Sequence, residues 1–364
     1  MESGKREAWV DIAKAITIIA VVMGHIEVRF TQIDRLPELS QFIYMWHVPV
    51  FFMIGGYFLK DERLLRPVGF ISGKLRRLYV PTILLYISVI LFHNCYIDWG
   101  WYDLSMEYGG KHVGYWNAHE YVRQISMVVA CAGREPLLGA MWFVFVLLFA
   151  LCGLSLVTRL AKRMEKGTIT MELIRCVLLA ALSALSLVAT KYFGIMIPRV
   201  SNVFTAMWLI YVGMMIKRRV GFTSGIMAML AFAIVLTACY FSQGVSLNIN
   251  KCDGIISLTL ISACALYAVS YVSQMLAPTT IGRMLIVVGR ESYAVMALHL
   301  IGFKVCSMII CKWIYVDISS LMAQCGNSVA MFCAYLTCGV GIPIVMAGIY
   351  RWVLMRLGFM MGNR

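Results

Sequence analysis

DIAKAITIIAVVMGHIEV, residues 11–28, is apolar enough to cross a bilayer, yet it keeps an acid, a lysine and a histidine. A helix advances about 100° per residue, so the path from Lys14 to His25 turns about 1100°, roughly 20° from eclipsed. Asp11 and Lys14 are i,i+3 neighbours on the same side. The three groups therefore form one stripe, with Lys14 and His25 about 16 Å apart along the axis. Lipid penalises such groups, so the stripe is expected to face a protein interior or a wet cavity.

The rest of the chain repeats this composition. Of 364 residues, 61% are apolar and only 14% charged, which is too oily for a soluble globule. Apolar segments near 8–28, 41–59, 78–97, 138–158, 174–196, 200–216, 222–241, 254–276, 291–313 and 328–350 are long enough for about 30 Å of hydrocarbon. The expected fold is an all-α polytopic membrane protein, a bundle of about ten transmembrane helices forming one domain over 1–364. The first run contains Asp11 and Lys14 and lacks a small-residue cleavage site, so it is expected to stay as the first span. Lys and Arg concentrate in residues 60–77, 159–175, 217–219 and 351–364, which by the positive-inside bias places both termini in the cytoplasm. That distribution accounts for the formal charge of +14 without any nucleic acid. Most of the 12 cysteines lie inside apolar runs, as do Cys131, Cys152, Cys239, Cys264 and Cys306, and no CxxC occurs. Neither a disulfide framework nor a metal site is expected.

One external loop differs from the others. Residues 98–120, DWGWYDLSMEYGGKHVGYWNAHE, are rich in Trp, Tyr, Gly and His, and the YVRQISMVVACAGREP that follows is too short and too charged to span. An interfacial or re-entrant helix suits that second stretch. The loop reads either as an aromatic belt at the bilayer surface or as a lid or platform for a sugar-like ligand.

His25, His47 and His299 lie within apolar segments. Rise per residue puts His25 about 25 Å along the first span and His47, in YMWHVPVFFMIGGYF, at similar depth on the second. Pro49 removes a backbone donor there, and Gly55 and Gly56 permit close helix contact. His299 lies about 12 Å into the ninth span. An intramembrane histidine is a candidate for chemistry, with hydrogen bonding between helices as the competing role. On the cytoplasmic side, RLLRPVGFISGKLRRLYVP gathers Arg63, Arg66, Lys74, Arg76 and Arg77. This run satisfies the topological bias, and it would also serve as a polyanion site with Arg forks on phosphates.

WVDIAKAITIIAVVMGH followed by FIYMWHVPVFFMIGGYFL resembles the acyltransferase 3 family of bacterial integral-membrane acyltransferases. The resemblance rests on Trp9, Asp11, Lys14, Gly24, His25, His47, Pro49, Phe51, Phe52, Gly56 and Tyr57. Weaker matches are KLRRLYVP, MWFVFVLLF at Trp142–Phe143, and VGRESYAVMALH ending in His299. Two departures stand out. Lys74 and Arg77 replace the usual Arg-x-x-Arg, while a literal one sits at Arg63–Arg66, and Glu291 stands where a small polar or amide residue is usual.

The resemblance implies transfer of an acyl group, often acetyl, from cytoplasmic acyl-coenzyme A to an extracytoplasmic carbohydrate. It places the protein in the bacterial cytoplasmic (inner) membrane, with acyl-CoA as co-substrate, no permanently bound cofactor and no fused extracytoplasmic domain. On this reading Lys74, Arg76 and Arg77 hold the donor phosphates and His25 is the general base. Asp11 and Lys14 pair, and His47 holds the acceptor or orients His25. Tyr44, Trp46 and Trp142 are candidate oxyanion donors, and His299 joins Tyr44 and Trp142 in the substrate-binding set. Direct transfer and an acyl-histidine both stay open, as do the acyl chain and the oligomeric state. The alternative is a proton-coupled transporter or flippase with Asp11, Lys14 and His25 as a polar relay.

Overall fold

The computed structural model describes residues 7–27, 36–102, 104, 107–108, 111–133, 135–197, 199–242, 244–314, 321 and 328–356. Every apolar segment read from the sequence carries a helix. They are α1 (Ala8–Glu27), α2 (Leu36–Tyr57), α5 (Val80–Leu91), α8 (Trp142–Met164), α9 (Met171–Phe193), α10 (Ser201–Arg219), α11 (Gly225–Phe241), α12 (Ile255–Leu276), α14 (Ser292–Ile314) and α15 (Val329–Arg356). Between them lie α3 (Asp61–Leu64), α4 (Pro67–Lys74), α6 (His93–Asp98), α7 (Ala118–Val129) and α13 (Thr280–Arg290). The only strands among the described residues are a hairpin, Glu107–Tyr108 against Lys111–His112.

Six of the described helical segments are long and apolar enough to cross a membrane: Ala8–Ile26, Pro136–Met164, Met171–Phe193, Ile255–Leu276, Ser292–Ile314 and Val329–Arg356. The others fall short for readable reasons. α2 carries Glu38, Ser40, Gln41 and an internal Pro49, α10 ends in Lys217, Arg218 and Arg219, and α11 has 17 residues. The outward faces confirm a lipid environment, because they are more apolar than parts of the interior. On α9 Arg175, Ser183 and Ser186 are buried, while Leu173, Val177, Leu185 and Val188 are exposed. Water would reverse that arrangement, whereas hydrocarbon requires it.

The chain forms two compact units interleaved along the sequence: Met1–Ser40, Tyr86–Ala140 and Thr280–Arg364 make the first, Gln41–Leu85 and Met141–Thr279 the second. In the first, α1 lies along α13, α14 and α15, and α14 packs on α15. Thr280–Arg290 lies between two of the apolar segments and belongs to neither. It is α13, amphipathic and packed along α1.

In the second unit α8 contacts α3, α4, α9 and α10, and α11 pairs with α12. A close approach joins α2 to α10. A methyl on Gly56 would sit 1.9 Å from the Ile210 carbonyl oxygen, and one on Gly213 would sit 2.1 Å from that of Met53. Gly56 rather than Gly55 makes this contact, since a methyl on Gly55 would meet only Leu147, at 3.8 Å. The segment read as a cytoplasmic loop at 60–77 is largely helical. Pro67 opens α4, which runs through a π-helical turn, Leu75–Tyr79, directly into α5.

Candidate active site

The polar stripe is present on α1. Asp11 is only 2% exposed, and its carboxylate has Lys14 Nζ at 3.8 Å and Arg290 Nε at 3.6 Å. The expected Asp11–Lys14 pair is thus joined by a second cation, from the end of α13. Burying a carboxylate is costly unless it is paired, and two cations share that role here. Arg290 was invisible as a partner in the sequence, where it read as a topological charge. The one available signal was the Gly before it. A methyl on Gly289 would fall 1.7 Å from the Asp11 carbonyl oxygen, so the glycine lets α13 touch the α1 backbone. Glu291, the unusual acid, also has a partner: Arg351 Nη1 of α15 donates to both of its oxygens, at 2.7 and 2.8 Å.

Further along α1, half-buried His25 lies beside His299 of α14, with ring centroids 5.0 Å apart and planes tilted by 36°. His299 is fully buried, and its Nδ1 lies 2.9 Å from the Val295 carbonyl and 3.1 Å from that of Met296. Carbonyl oxygens only accept, so Nδ1 carries the hydrogen and Nε2 keeps its lone pair. That Nε2 is buried with no hydrogen-bond partner among the described residues. Sequence spacing gave His25 and His299 no reason to meet.

His47, Tyr44, Trp46 and Trp142 belong to the second unit. His47 is buried, and its Nδ1–H donates to the Ile43 carbonyl at 2.7 Å, which makes Nε2 the basic nitrogen. The Tyr44 ring meets it edge-on at 5.0 Å. Trp46 holds a buried indole N–H with no acceptor among the described residues. Trp142 opens α8 and stacks edge-on against Phe143, whose ring packs on Phe51 and Phe52.

The basic run forms a cleft of about 430 Å³ within the second unit, lined by Arg63, Arg66, Lys74 and Arg77 together with Phe58, Phe70 and Gly73. Both halves of the sequence ambiguity, Arg63–Arg66 and Lys74–Arg77, contribute to it. Arg76 is exposed and lies outside the lining, since the face formed by Phe70, Gly73, Lys74 and Arg77 at helical spacing does not include it. Burial, and then the charges of Arg77 and Arg63, hold the Lys74 ammonium below the usual lysine value. An anion in the cleft would relieve that repulsion.

The aromatic loop of the first unit has a polar centre that sequence reading missed. Glu135 is fully buried; it accepts from the Tyr102 hydroxyl and lies 3.5 Å from His93 Nδ1. His93 stacks on Trp116 at 3.5 Å, and its Nε2–H donates to the Gly114 carbonyl at 3.1 Å. Burial, reinforced by Glu135, pushes the Tyr102 hydroxyl far above its ordinary range, so it stays a donor. α7 covers part of the stretch expected to be an interfacial or re-entrant helix, with Asn117 capping it through the Glu120 N–H at 2.9 Å. Trp99 and Tyr115 are exposed nearby. Residues 103, 105, 106, 109 and 110 of the predicted loop lie outside the described residues.

No curated protein and no solved structure matches this chain. The family model described as an acyltransferase domain matches residues 7–348, nearly the whole chain and every candidate residue above. With paired histidines on membrane helices and a four-cation cleft in place, this chain belongs to the acyltransferase 3 family.

Proposed function

We propose that the protein transfers an acyl group, acetyl by resemblance, from cytoplasmic acyl-coenzyme A to a hydroxyl of an extracytoplasmic carbohydrate. The observation that carries this reading is the cleft in which Arg63, Arg66, Lys74 and Arg77 converge. Convergent guanidinium and ammonium groups suit the phosphates of coenzyme A. His25 Nε2 or Nδ1 removes the acceptor hydroxyl proton as the oxygen attacks the thioester carbon. Collapse of the tetrahedral intermediate expels the thiolate, and the imidazolium returns the proton to sulfur. His299, with Nδ1–H committed to the backbone, packs its ring against His25 and limits where that imidazole can point. Asp11, Lys14 and Arg290 anchor α1, which carries the base. The buried Trp46 N–H is a donor suited to a developing oxyanion, and His47 and Tyr44 bind acceptor hydroxyls.

Replacing Lys74 and Arg77 together with alanine is expected to raise the donor KM about 10²–10⁴-fold, since charge-assisted hydrogen bonds contribute about 1.5–3 kcal/mol each. The acceptor KM should hardly change. Steady-state kinetics on detergent-purified protein measure both, and an unchanged donor KM in a folded double variant would return these charges to topology alone.

The same proposal places the protein in a bacterial inner membrane, with ten crossings and both termini cytoplasmic. It takes all ten helices over the apolar segments as spans and follows the Lys and Arg asymmetry. Cysteines introduced singly at residues 70 and 110, in a background without exposed native thiols, report the orientation. An impermeant maleimide applied to intact cells should label 110 and spare 70, and the opposite pattern inverts the topology.

A further inference from the structure

Arg63 and Arg66 reach the donor cleft from α3 and the residues just after it. α3 has four residues, too few to hold a helix by its own hydrogen bonds. It is held from its other side. Leu64 is fully buried, and its carbonyl accepts from Ser155 Oγ of α8 at 2.6 Å. Asp61, at the start of α3, is clamped by two guanidinium groups: Oδ1 accepts from Arg175 Nη1 of α9 at 2.7 Å, and Oδ2 from Arg218 Nη2 of α10 at 2.6 Å.

Arg175 is fully buried over the Tyr211 ring, 5.0 Å from its centroid, and Asp61 is its only ion-pair partner among the described residues. Its Nη1 also donates to Thr158 Oγ1, at 3.4 Å. Arg218 also approaches Glu172, at 3.7 Å, and Glu172 in turn binds Arg219 at 2.6 Å. A fully buried guanidinium contributes little net stability compared with an apolar side chain of the same volume. Its geometric effect is larger, because it fixes one carboxylate, and through it a short helix, in a single place.

We propose that Asp61 is the positioning residue of the donor cleft: clamped between Arg175 and Arg218, it fixes α3 so that Arg63 and Arg66 face the donor phosphates before binding. This inference rests on the donor-cleft reading above. Unclamped, the two arginines lose freedom only when the donor arrives, and that ordering is charged against affinity. Burial works against ionisation of Asp61, but the hydrogen bonds and charges of Arg175 and Arg218 prevail and keep its carboxyl below the usual value. The clamp is therefore fully formed at neutral pH and is lost only under acid, as pH falls through that lowered value.

The test uses the purified full chain with acetyl-coenzyme A, measuring donor KM, acceptor KM, kcat, equilibrium binding and thermal unfolding. Asp61→Asn keeps the shape and one acceptor oxygen for Arg175. It is expected to raise the donor KM and Kd about tenfold, with kcat at saturating donor and the acceptor KM within about twofold. Asp61→Glu should recover part of the loss. Arg218→Gln, at a partly exposed position, should move donor KM in the same direction by a smaller factor, and it carries the test if Asp61→Asn does not fold. Donor affinity within twofold of the parent in folded Asp61→Asn and Arg218→Gln overturns the proposal, provided Lys74→Ala with Arg77→Ala weakens donor binding in the same assay. If that double variant binds donor normally, the cleft reading itself falls, and the positioning role with it.

Discussion

His25→Ala lowers acyl-transfer turnover by about 10²–10⁴, the usual contribution of a positioned general base. Coenzyme A binding in the same variant is expected to stay close to the parent, because on the proposed reading the donor phosphates meet Arg63, Arg66, Lys74 and Arg77 and not His25. The variant also folds. His25 is half-buried and packs against the His299 ring, and truncation to alanine leaves the helix backbone of α1 intact. Acyl transfer and coenzyme A binding measured on one detergent preparation separate these effects. Near-normal turnover in His25→Ala would refute the general-base assignment and leave the family membership intact.

Gly289→Ala is expected to produce the largest loss of stability of any single methyl in the first unit. The added carbon would lie 1.7 Å from the Asp11 carbonyl oxygen and 2.5 Å from its carbonyl carbon, both backbone atoms that no rotamer change can move. α1 and α13 must separate, and overpacking of this kind costs about 1–3 kcal/mol or more. Separation also pulls Arg290 from Asp11, which then keeps Lys14 alone. Activity falls too, since α1 carries His25. Gly341 of α15 is the control: a methyl there meets nothing within 4 Å, and alanine should stabilise that helix by up to about 1 kcal/mol. Unfolding temperatures in detergent decide between them, and equal values for the two variants would mean that α13 does not touch α1 as closely as described. By the same geometry Lys14→Ala destabilises less than a solitary Asp11–Lys14 pair would imply, because Arg290 remains.

The stripe of Asp11, Lys14 and His25 was readable because helix periodicity needs no partner to be computed, and the ten apolar segments were readable because hydrocarbon sets a minimum length. The resemblance lay in local motifs, and so it too survived as sequence. α13 was missed because its eleven residues are amphipathic and charged at the end, which resembles a topological connection until α1 is beside it. Arg76 neighbours Arg77 in sequence yet lies outside the lining of the cleft, because adjacent residues on a helix point in different directions.

The sequence by itself determined that this is a helical membrane protein of the acyltransferase 3 family, with histidines on its spans and cations gathered before the third. Only the tertiary structure decided which of those groups meet. His25 with His299, Asp11 with Arg290, Asp61 with Arg175 and Glu135 with His93 are separated by tens to hundreds of residues, and each pairing is set by which helices pack together. Periodicity fixes the face on which a side chain sits, because that is a property of one helix. What the face meets depends on close approaches such as Gly289 on Asp11 and Gly56 on Ile210, where backbone touches backbone, and a single chain's pattern does not name the other surface.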